Sequence, residues 1–450
     1  MRLDGPVHRL RRAGRRLRRG GAGTRQRLRA RGSDITTANP ESTRPRIRLG
    51  PLLRARTRRP GWLSALKEAL DRPLTTYYLL LGATALLLVI GLIMVLSASS
   101  VRAYRETGDS YTIVRRQVMW VLIGVPCAFV ASRVSERWVR RLSYPAFAVS
   151  LALLFVTAFA GKEVNGNTNW LVLGPLQIQP SEIAKLSLII WASNIYANKE
   201  RRLGNLHQML VPVVPGMALA TGLVVLGRDL GTALIFFALL VAMLWVVGAP
   251  GRLFGMVFAV VTVAALGLAA TSPTRLARIA NFADPFKDYH GTGWQPAHGL
   301  YAMASGGVLG EGIGASQQKW GQLPEAHTDF IFAVLGEELG LVGTLLVIGL
   351  FLVLAYAGVR VARETKQPFV RYCTFGIVVW LLCQMIINVG MVLALLPVIG
   401  IPLPLVSYGG SSLLPTLSAL GLVIGFARRE PAAARALAQR RRARSAGLSA

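Results

Sequence analysis

What the chain has little of narrows the field first. Only three cysteines occur in 450 residues, Cys127, Cys373 and Cys383, each inside an apolar run. An odd number in such settings argues against a disulfide framework or a zinc cage, and these read as small core residues. Acidic residues are scarce as well, with 21 Asp and Glu against 51 Lys and Arg. Charged residues of both signs make up 16% of the chain while 53% is hydrophobic, which is a polytopic membrane composition and not a soluble one. The glycine-rich stretch SGGVLGEGIG (305–314) lacks the GK[ST] ending of a phosphate loop and the spacing of a dinucleotide fold. It reads as a flexible turn, or as a loop whose amides approach a phosphate or sugar. The first residues also lack a signal-peptide pattern, since their arginines run on without a short apolar stretch and cleavage site.

What is present is strongly basic. The net charge of +30 suggests a nucleic-acid binder until it is located. Residues 1–72 hold 21 Lys and Arg against 5 Asp and Glu, and residues 427–450 hold 7 Arg against 1 Glu. Most of the excess therefore sits in two tails flanking an apolar body. No aromatic residues interleave these arginines, so the expected partners are anionic membrane lipids and not nucleic acid. The chain divides into a basic, mostly disordered tail over 1–72, a membrane domain over 73–427, and a second basic tail over 428–450.

A spanning helix needs about 20 apolar residues. Candidate runs are 75–99, 114–131, 142–161, 181–198, 209–226, 230–248, 253–271, 329–359, 372–396 and 405–427. The expected fold is an all-α polytopic membrane protein of about ten spans, with disordered basic termini. An even count puts both tails on one side, and their arginines make that side the cytoplasm. Expected inner loops SRVSERWVRR (132–141), NKERR (198–202) and RVARETKQPFVR (360–371) are basic, whereas Arg102, Arg105, Arg115 and Arg116 in the first outer loop run against the rule. The long segment 272–328 falls outside, and loops of that length are usually functional.

The residues with chemical potential crowd the outer ends of spans. In QPSEIAK, Pro180 suits the first turn of a helix. Glu182 and Lys185, three apart, share a face. They read as an interfacial ion pair with a snorkelling lysine, or Lys185 holds an anionic group of a substrate. In GRDLG, Asp229 stands at a helix start, where a carboxylate caps well. In LPEAHTDFIFAVLGEELG (323–340), Glu337 and Glu338 cannot both face lipid cheaply and read as paired inside the bundle. Gly336 and Gly340 form a small-xxx-small pair that predicts close helix packing. Asp329 stands at the mouth of its span, with Glu325 and His327 close enough to tune it, and is a candidate general base. Outside the cytoplasm a transferase needs a donor already activated, and a lipid-linked pyrophosphate meets that need.

Three stretches, QIQPSEIAKL (177–186), LPEAHTDFIFAVLGEELG (323–340) and NVGMVLALLPVIGIPLPLVSYGGSS (388–412), carry a resemblance. Over about 75–427 the chain resembles the SEDS family of shape, elongation, division and sporulation proteins. The form KWGQLPEAHTDFIF (319–332) is closer to the division branch than to the elongation branch. The resemblance implies a peptidoglycan glycosyltransferase that polymerises lipid II at the outer face of the cytoplasmic membrane during septal wall synthesis. Its implied partners are a class B penicillin-binding protein, an FtsI-like transpeptidase, and other divisome proteins. The family's essential aspartate matches Asp329, and the glutamate and lysine of its QPSE motif match Glu182 and Lys185.

This chain departs from the common pattern at Asn169, where many members have Arg, at Gly227 and Arg228, where many have Gln-Pro, and at Ala394, where Gly is common. Arg228 is placed to supply the charge missing at Asn169. The resemblance thus implies Asp329 as catalytic base, with Lys185, Glu182, Arg228, His327, Glu325 and Ser411 as contacts for pyrophosphate or sugar. A divalent cation, Mg or Mn, is compatible with that chemistry, although the sequence shows no dedicated ligand cluster. Two other readings stay open: a lipid II flippase using the same cavity, and a non-catalytic division scaffold. A carrier places ionisable residues near the bilayer midplane in repeated halves. Here they crowd the outer rim and no repeat is seen, which favours the enzyme.

Overall fold

The computed structural model describes residues 70, 72–164, 167–174, 176–270, 282 and 284–445. The expected N-terminal tail over 1–69 and the stretch 271–281 at the start of the long outer segment lie outside the described residues.

Each of the ten expected apolar runs is helical. In chain order these are α1 (Thr75–Thr107), α2 (Thr112–Arg133), α3 (Glu136–Ala160), α4 (Pro180–Lys199), α5 (Leu206–Leu210) with α6 (Val213–Leu226), α7 (Leu230–Val246) and α8 (Gly251–Ala270). After α9 (Trp294–Ser305) come α10 (Ile331–Glu364), α11 (Pro368–Val392), α12 (Gly410–Arg429) and α13 (Pro431–Ser445). Seven segments, α1, α2, α3, the α5–α6 unit, α10, α11 and α12, are long and apolar enough to cross a membrane. The apolar parts of α7 and α8 are shorter, and α4 carries Glu182, Lys185 and Lys199. The chain is a multi-pass, helical membrane protein.

Starts and stops follow local chemistry. Pro180 and Pro368 occupy the first turns of α4 and α11, where a missing N–H costs nothing. Asp229 caps α7 by accepting the Thr232 N–H at 2.9 Å. Packing then sets the centre. In the spanning part of α12, 78% of the residues are buried, against 11% for α2, so α12 is a core helix and α2 a peripheral one. The two lie close because Gly421 and Gly425 of α12 face Ala128 and Ser132 backbone directly. Elsewhere α10 packs on α1, α3 on α4, and α11 against α4, α7 and α10.

Four features differ from the sequence expectation. A small antiparallel sheet, β1 (Lys162–Val164), β2 (Asn167–Leu173) and β3 (Leu176–Ile178), links α3 to α4, with Leu171 opposite Ile178 and Val172 opposite Gln177. The longest of its strands, NTNWLVL, shows no clean alternation of apolar and polar residues. Helix α1 reaches 33 residues, roughly 50 Å at the helical rise, so it is longer than a 30 Å hydrocarbon layer needs, and α10 covers 34 residues in two pieces. The C-terminal tail, expected to be disordered, is helical over Pro431–Ser445. It starts on a proline and is rich in alanine and arginine, and Arg440 donates to the Tyr78 hydroxyl at 3.0 Å.

The fourth difference concerns α10. Gly340 packs closely, as expected, but against the Val308–Gly310 backbone, and it breaks the helix, with φ 66 and ψ −164. Only a residue without Cβ holds that conformation readily. The broken ladder is repaired by the preceding segment: Glu311 and Gly312 donate to the Glu337 and Glu338 carbonyls at 3.0 Å each, and Leu341 and Val342 donate to those of Gly307 and Val308 at 3.0 and 3.2 Å. Gly336 also packs closely, against Met303 of α9.

Candidate functional site

The N-terminal ends of α4, α7 and α10 and the C-terminal part of α11 gather around Asp329 and Asp229. The residue lies in the turn before α10, and its backbone carbonyl accepts from the Asn388 side chain of α11 at 2.8 Å. The same Asn388 amide donates to the Ile401 carbonyl at 2.7 Å, so one side chain pins the Asp329 turn to the 399–401 strap. That strap also passes α7, because Gly231 faces Ile399 and Ile401. Burial pushes the Asp329 carboxyl up to about 7, reinforced by the negative charges of Glu325 and Asp229. A carboxylate so placed exchanges a proton near neutral pH, as a general base must.

Neighbouring contacts fix the turn that carries this residue. Glu325, with φ 54, accepts from Thr328 Oγ1 at 2.7 Å and meets Arg102 at 3.6 Å. Arg102, which runs against the charge rule, is thus engaged with the acidic side chains Glu325 and Glu106. Arg115 likewise meets Asp109 at 2.9 Å. His327 is buried against Tyr408, and its carbonyl accepts the Tyr408 N–H at 2.9 Å. Burial, with Arg102 nearby, pushes its imidazole down to about 4, so it is neutral at physiological pH.

Around Asp229 lies a second polar group. One carboxylate oxygen accepts from Asn169 at 3.1 Å, from Gln179 at 3.4 Å and from the Thr232 hydroxyl at 2.8 Å. Thr168 donates its N–H to the Gly227 carbonyl at 2.8 Å, which docks β2 beside the GRDLG turn. Two departures from the common family pattern, Asn169 and Gly227–Arg228, are therefore neighbours in space. Arg228 itself is exposed, with φ 61. Thr157, Thr168, Asn169, Ser181 and Asp229 line one small cavity, into which Leu154, Leu223 and Val224 bring apolar surface. Ser181 Oγ and Asn169 Oδ1 have no hydrogen-bond partner there.

The Lys185 expectation needs correction. The lysine is not at the rim: Lys185 and Glu182 are buried, with 2% and 3% of their side chains exposed, and they pair at 2.8 Å. Lys185 also lies 5.6 Å from the Trp380 ring centre. The cause is α4 itself, which packs against α3, α7, α11 and α12 and leaves no path for a snorkelling side chain. The second Glu182 oxygen is without a partner, an unfilled acceptor beside a paired cation. Ser411 is buried in the first turn of α12, three residues beyond Tyr408.

Glu337 and Glu338 are structural, as the sequence suggests. Glu337 accepts from the Ser316 hydroxyl at 2.5 Å and the Gln317 N–H at 2.8 Å. Glu338 accepts from Lys319 at 2.9 Å and Ser97 at 2.5 Å. Sequence reasoning missed Lys319, Asn388, Gln179 and Gly400. Asn388 carried a usable signal, an amide inside an apolar run. Among the described residues no three His, Cys, Asp or Glu side chains gather as a metal cage. Both oxygens of Asp229 accept hydrogen bonds from Thr232.

With this geometry in place, the likeness to known proteins is informative. The family model described as "Cell cycle protein", FtsW/RodA/SpoVE, matches residues 78–431. A Mycobacterium tuberculosis protein named "Probable peptidoglycan glycosyltransferase FtsW" is 39% identical over 402 residues, covering 89% of this chain and 74% of that protein. The Bacillus subtilis stage V sporulation protein E is 36% identical over 353 residues, covering 78% of this chain and 96% of its own. Among solved structures, a chain from a peptidoglycan synthase complex coordinating polymerization and crosslinking superposes with TM-score 0.65 at 29% identity, over 78% of this chain and 97% of that one. The Thermus thermophilus rod shape determining protein RodA gives TM-score 0.58 at 29% identity, over 79% and 97%.

Proposed function

Since the chain belongs to the FtsW/RodA/SpoVE family of cell cycle proteins, we propose that it is a peptidoglycan glycosyltransferase that polymerises lipid II at the outer face of the membrane. The observation that carries the reading is the Asp329 carboxyl, raised to about 7, on a turn whose backbone carbonyl accepts from Asn388. Asp329 in its ionised form takes the proton from the 4-hydroxyl of the acceptor GlcNAc. The freed oxygen attacks the anomeric carbon of the donor MurNAc, the bond to pyrophosphate breaks, and undecaprenyl pyrophosphate leaves. One displacement of an α-linked pyrophosphate gives a β-linkage.

The roles of the other residues follow their positions. Glu325 and Asp229 keep the Asp329 carboxyl basic, and neutral His327 fixes the turn that carries it. Lys185, Glu182, Arg228 and Ser411 are the proposed contacts for pyrophosphate or sugar. For Lys185 this requires the lysine to be shared between Glu182 and the leaving group, which it would stabilise electrostatically. A class B penicillin-binding protein is the proposed partner, both tails are proposed to be cytoplasmic, and the septum is the proposed site of action. The test is purified full-length chain with lipid II, alone and with a candidate penicillin-binding protein, resolved for glycan length. Glycan strands made by the wild type and lost in Asp329→Asn support the reading. Lipid II moved across vesicles without polymer would transfer the chain to the flippase class.

A further inference from the structure

The segment before α9 and α9 itself carry a cluster of rings that the reaction above does not use. Trp294, His298 and Tyr301 recur at helical spacing on one face of α9, while Pro296, Ala297, Gly299 and Ala302 are buried. Tyr289 closes over that face, with ring centres 5.4 Å from Trp294, 5.6 Å from His298 and 6.4 Å from Tyr301. Phe286 continues the row, 5.7 Å from Tyr301. His298 is the buried anchor: its two ring nitrogens meet Gln318 Oε1 at 2.7 Å and the Tyr289 hydroxyl at 3.1 Å. The outer rings are open, with Phe286 and Tyr301 exposed by 47% and 44% and His290 exposed beside them.

A row of exposed rings on a membrane protein usually lies at the lipid interface. Its height argues otherwise here. The lipid-facing side chains of α10 begin at Leu341, whereas Gly299 of α9 packs against Phe330. The helical stretch 331–339 separates those levels, roughly 13 Å of rise, which sets the ring row apart from the lipid-facing part of α10. The interfacial level is taken instead by exposed Val308, Leu309 and Ile313, in the segment bonded to the α10 break. The row is also tied to the site. Trp294 Nε1 donates to the Gln322 carbonyl at 2.8 Å and Gln295 donates to the Pro324 carbonyl at 3.2 Å, on the strand of chain that leads to Asp329.

We propose that Phe286, Tyr289, His290 and Tyr301 form a saccharide-binding platform that holds the glycan strand next to the Asp329 site. This rests on the glycosyltransferase reading above. Sugars present flat C–H faces to aromatic rings and hydroxyls to polar groups, and both are on hand. Exposed Asp284 and Lys287 flank Phe286 in the chain and offer polar partners beside the rings. Because His298 has already fixed Tyr289, the platform needs little ordering on binding.

The test separates this inference from the activity it rests on. Short, lipid-free glycan fragments of alternating GlcNAc and MurNAc are titrated against the full-length protein in detergent, followed by saturation-transfer NMR. The wild type should bind, and Phe286→Ser with Tyr301→Ser should weaken binding roughly tenfold. In polymerisation reactions the same variant should shorten strands by more than it slows lipid II consumption. A wild type that binds fragments but makes no polymer keeps the platform and rejects the glycosyltransferase reading. Fragment binding equal in wild type and variant overturns the platform. A variant altered only in association with lipid vesicles, or only in association with a partner protein, overturns it in favour of that other surface.

Discussion

Gly400 stands against the Asp329 carboxylate: a Cβ built at residue 400 would lie 3.3 Å from Oδ2, and the backbone there has φ 81. The glycine thus meets two demands at once, a left-handed turn in the strap and room for the carboxylate. Gly400→Ala should strain the turn by about 1–2 kcal/mol and push on Asp329, lowering polymerisation by roughly tenfold or more. Gly248→Ala is the control, since Gly248 has φ 80 but open space around it. It should cost stability and spare the rate. Equal rate losses in the two would remove the special role of Gly400.

Asp329→Asn keeps the size of the side chain and loses the base. Polymerisation should fall by about a hundredfold or more, the usual range for a positioned acid–base group. Binding of lipid II, measured on the same preparation, should change little.

The pH dependence follows from the raised carboxyl. Only the ionised form accepts a proton, so wild-type activity should climb with pH up to about 7 and then level off. Stability runs the other way. The folded value lies above the ordinary 3.8, so the folded chain prefers the protonated form. Below the unfolded value no destabilisation is felt; it grows as pH rises and is complete above about 7. Asp329→Asn should therefore raise the melting temperature at alkaline pH and leave it unchanged at acid pH. A melting temperature lowered equally at both would contradict the buried placement.

Burial of the Glu182–Lys185 pair changes what a single substitution can reveal. Lys185→Ala leaves an uncompensated buried carboxylate, a loss on the order of 3–5 kcal/mol, so protein level should fall with activity. The informative variant is the double change Glu182→Gln with Lys185→Met. It should recover expression, and persistent loss of polymerisation in it would mark the pair as contacting the substrate. Full activity in the double variant would leave the pair a structural one.

Lys319 and Glu338 invite the same comparison by thermal unfolding. Each single change, Lys319→Met or Glu338→Gln, should destabilise more than both together, because the pair is buried with Ser97 as a shared partner.

The apolar runs made the membrane body legible, since each needs only length and composition to be seen. The Asp329 site was legible as a set of outer helix ends, because Pro180, Asp229 and Asp329 stand at starts that sequence chemistry can mark. The depth of Lys185 was not legible: it depends on four helices packing around α4, and nothing in QPSEIAK reports that. The sheet escaped for a different reason: its strands are held by pairing with one another, and NTNWLVL shows no clean alternation of apolar and polar residues. Gly340 misled in part. A glycine four residues after another looks like a packing stripe, and only the backbone angles show the break.

That break divides α10 into two mechanical pieces. The stretch 331–339 is fastened to 305–320 through Glu337, Glu338 and the backbone bonds on either side of Gly340. Ser97 of α1 is tied to the same stretch through Glu338 and Lys319, and α10 as a whole packs on α1 and α11. The stretch that follows Asp329 is thus clamped between the 305–320 segment and Ser97 of α1, and the turn bearing the carboxylate is anchored by contacts on both sides of the break.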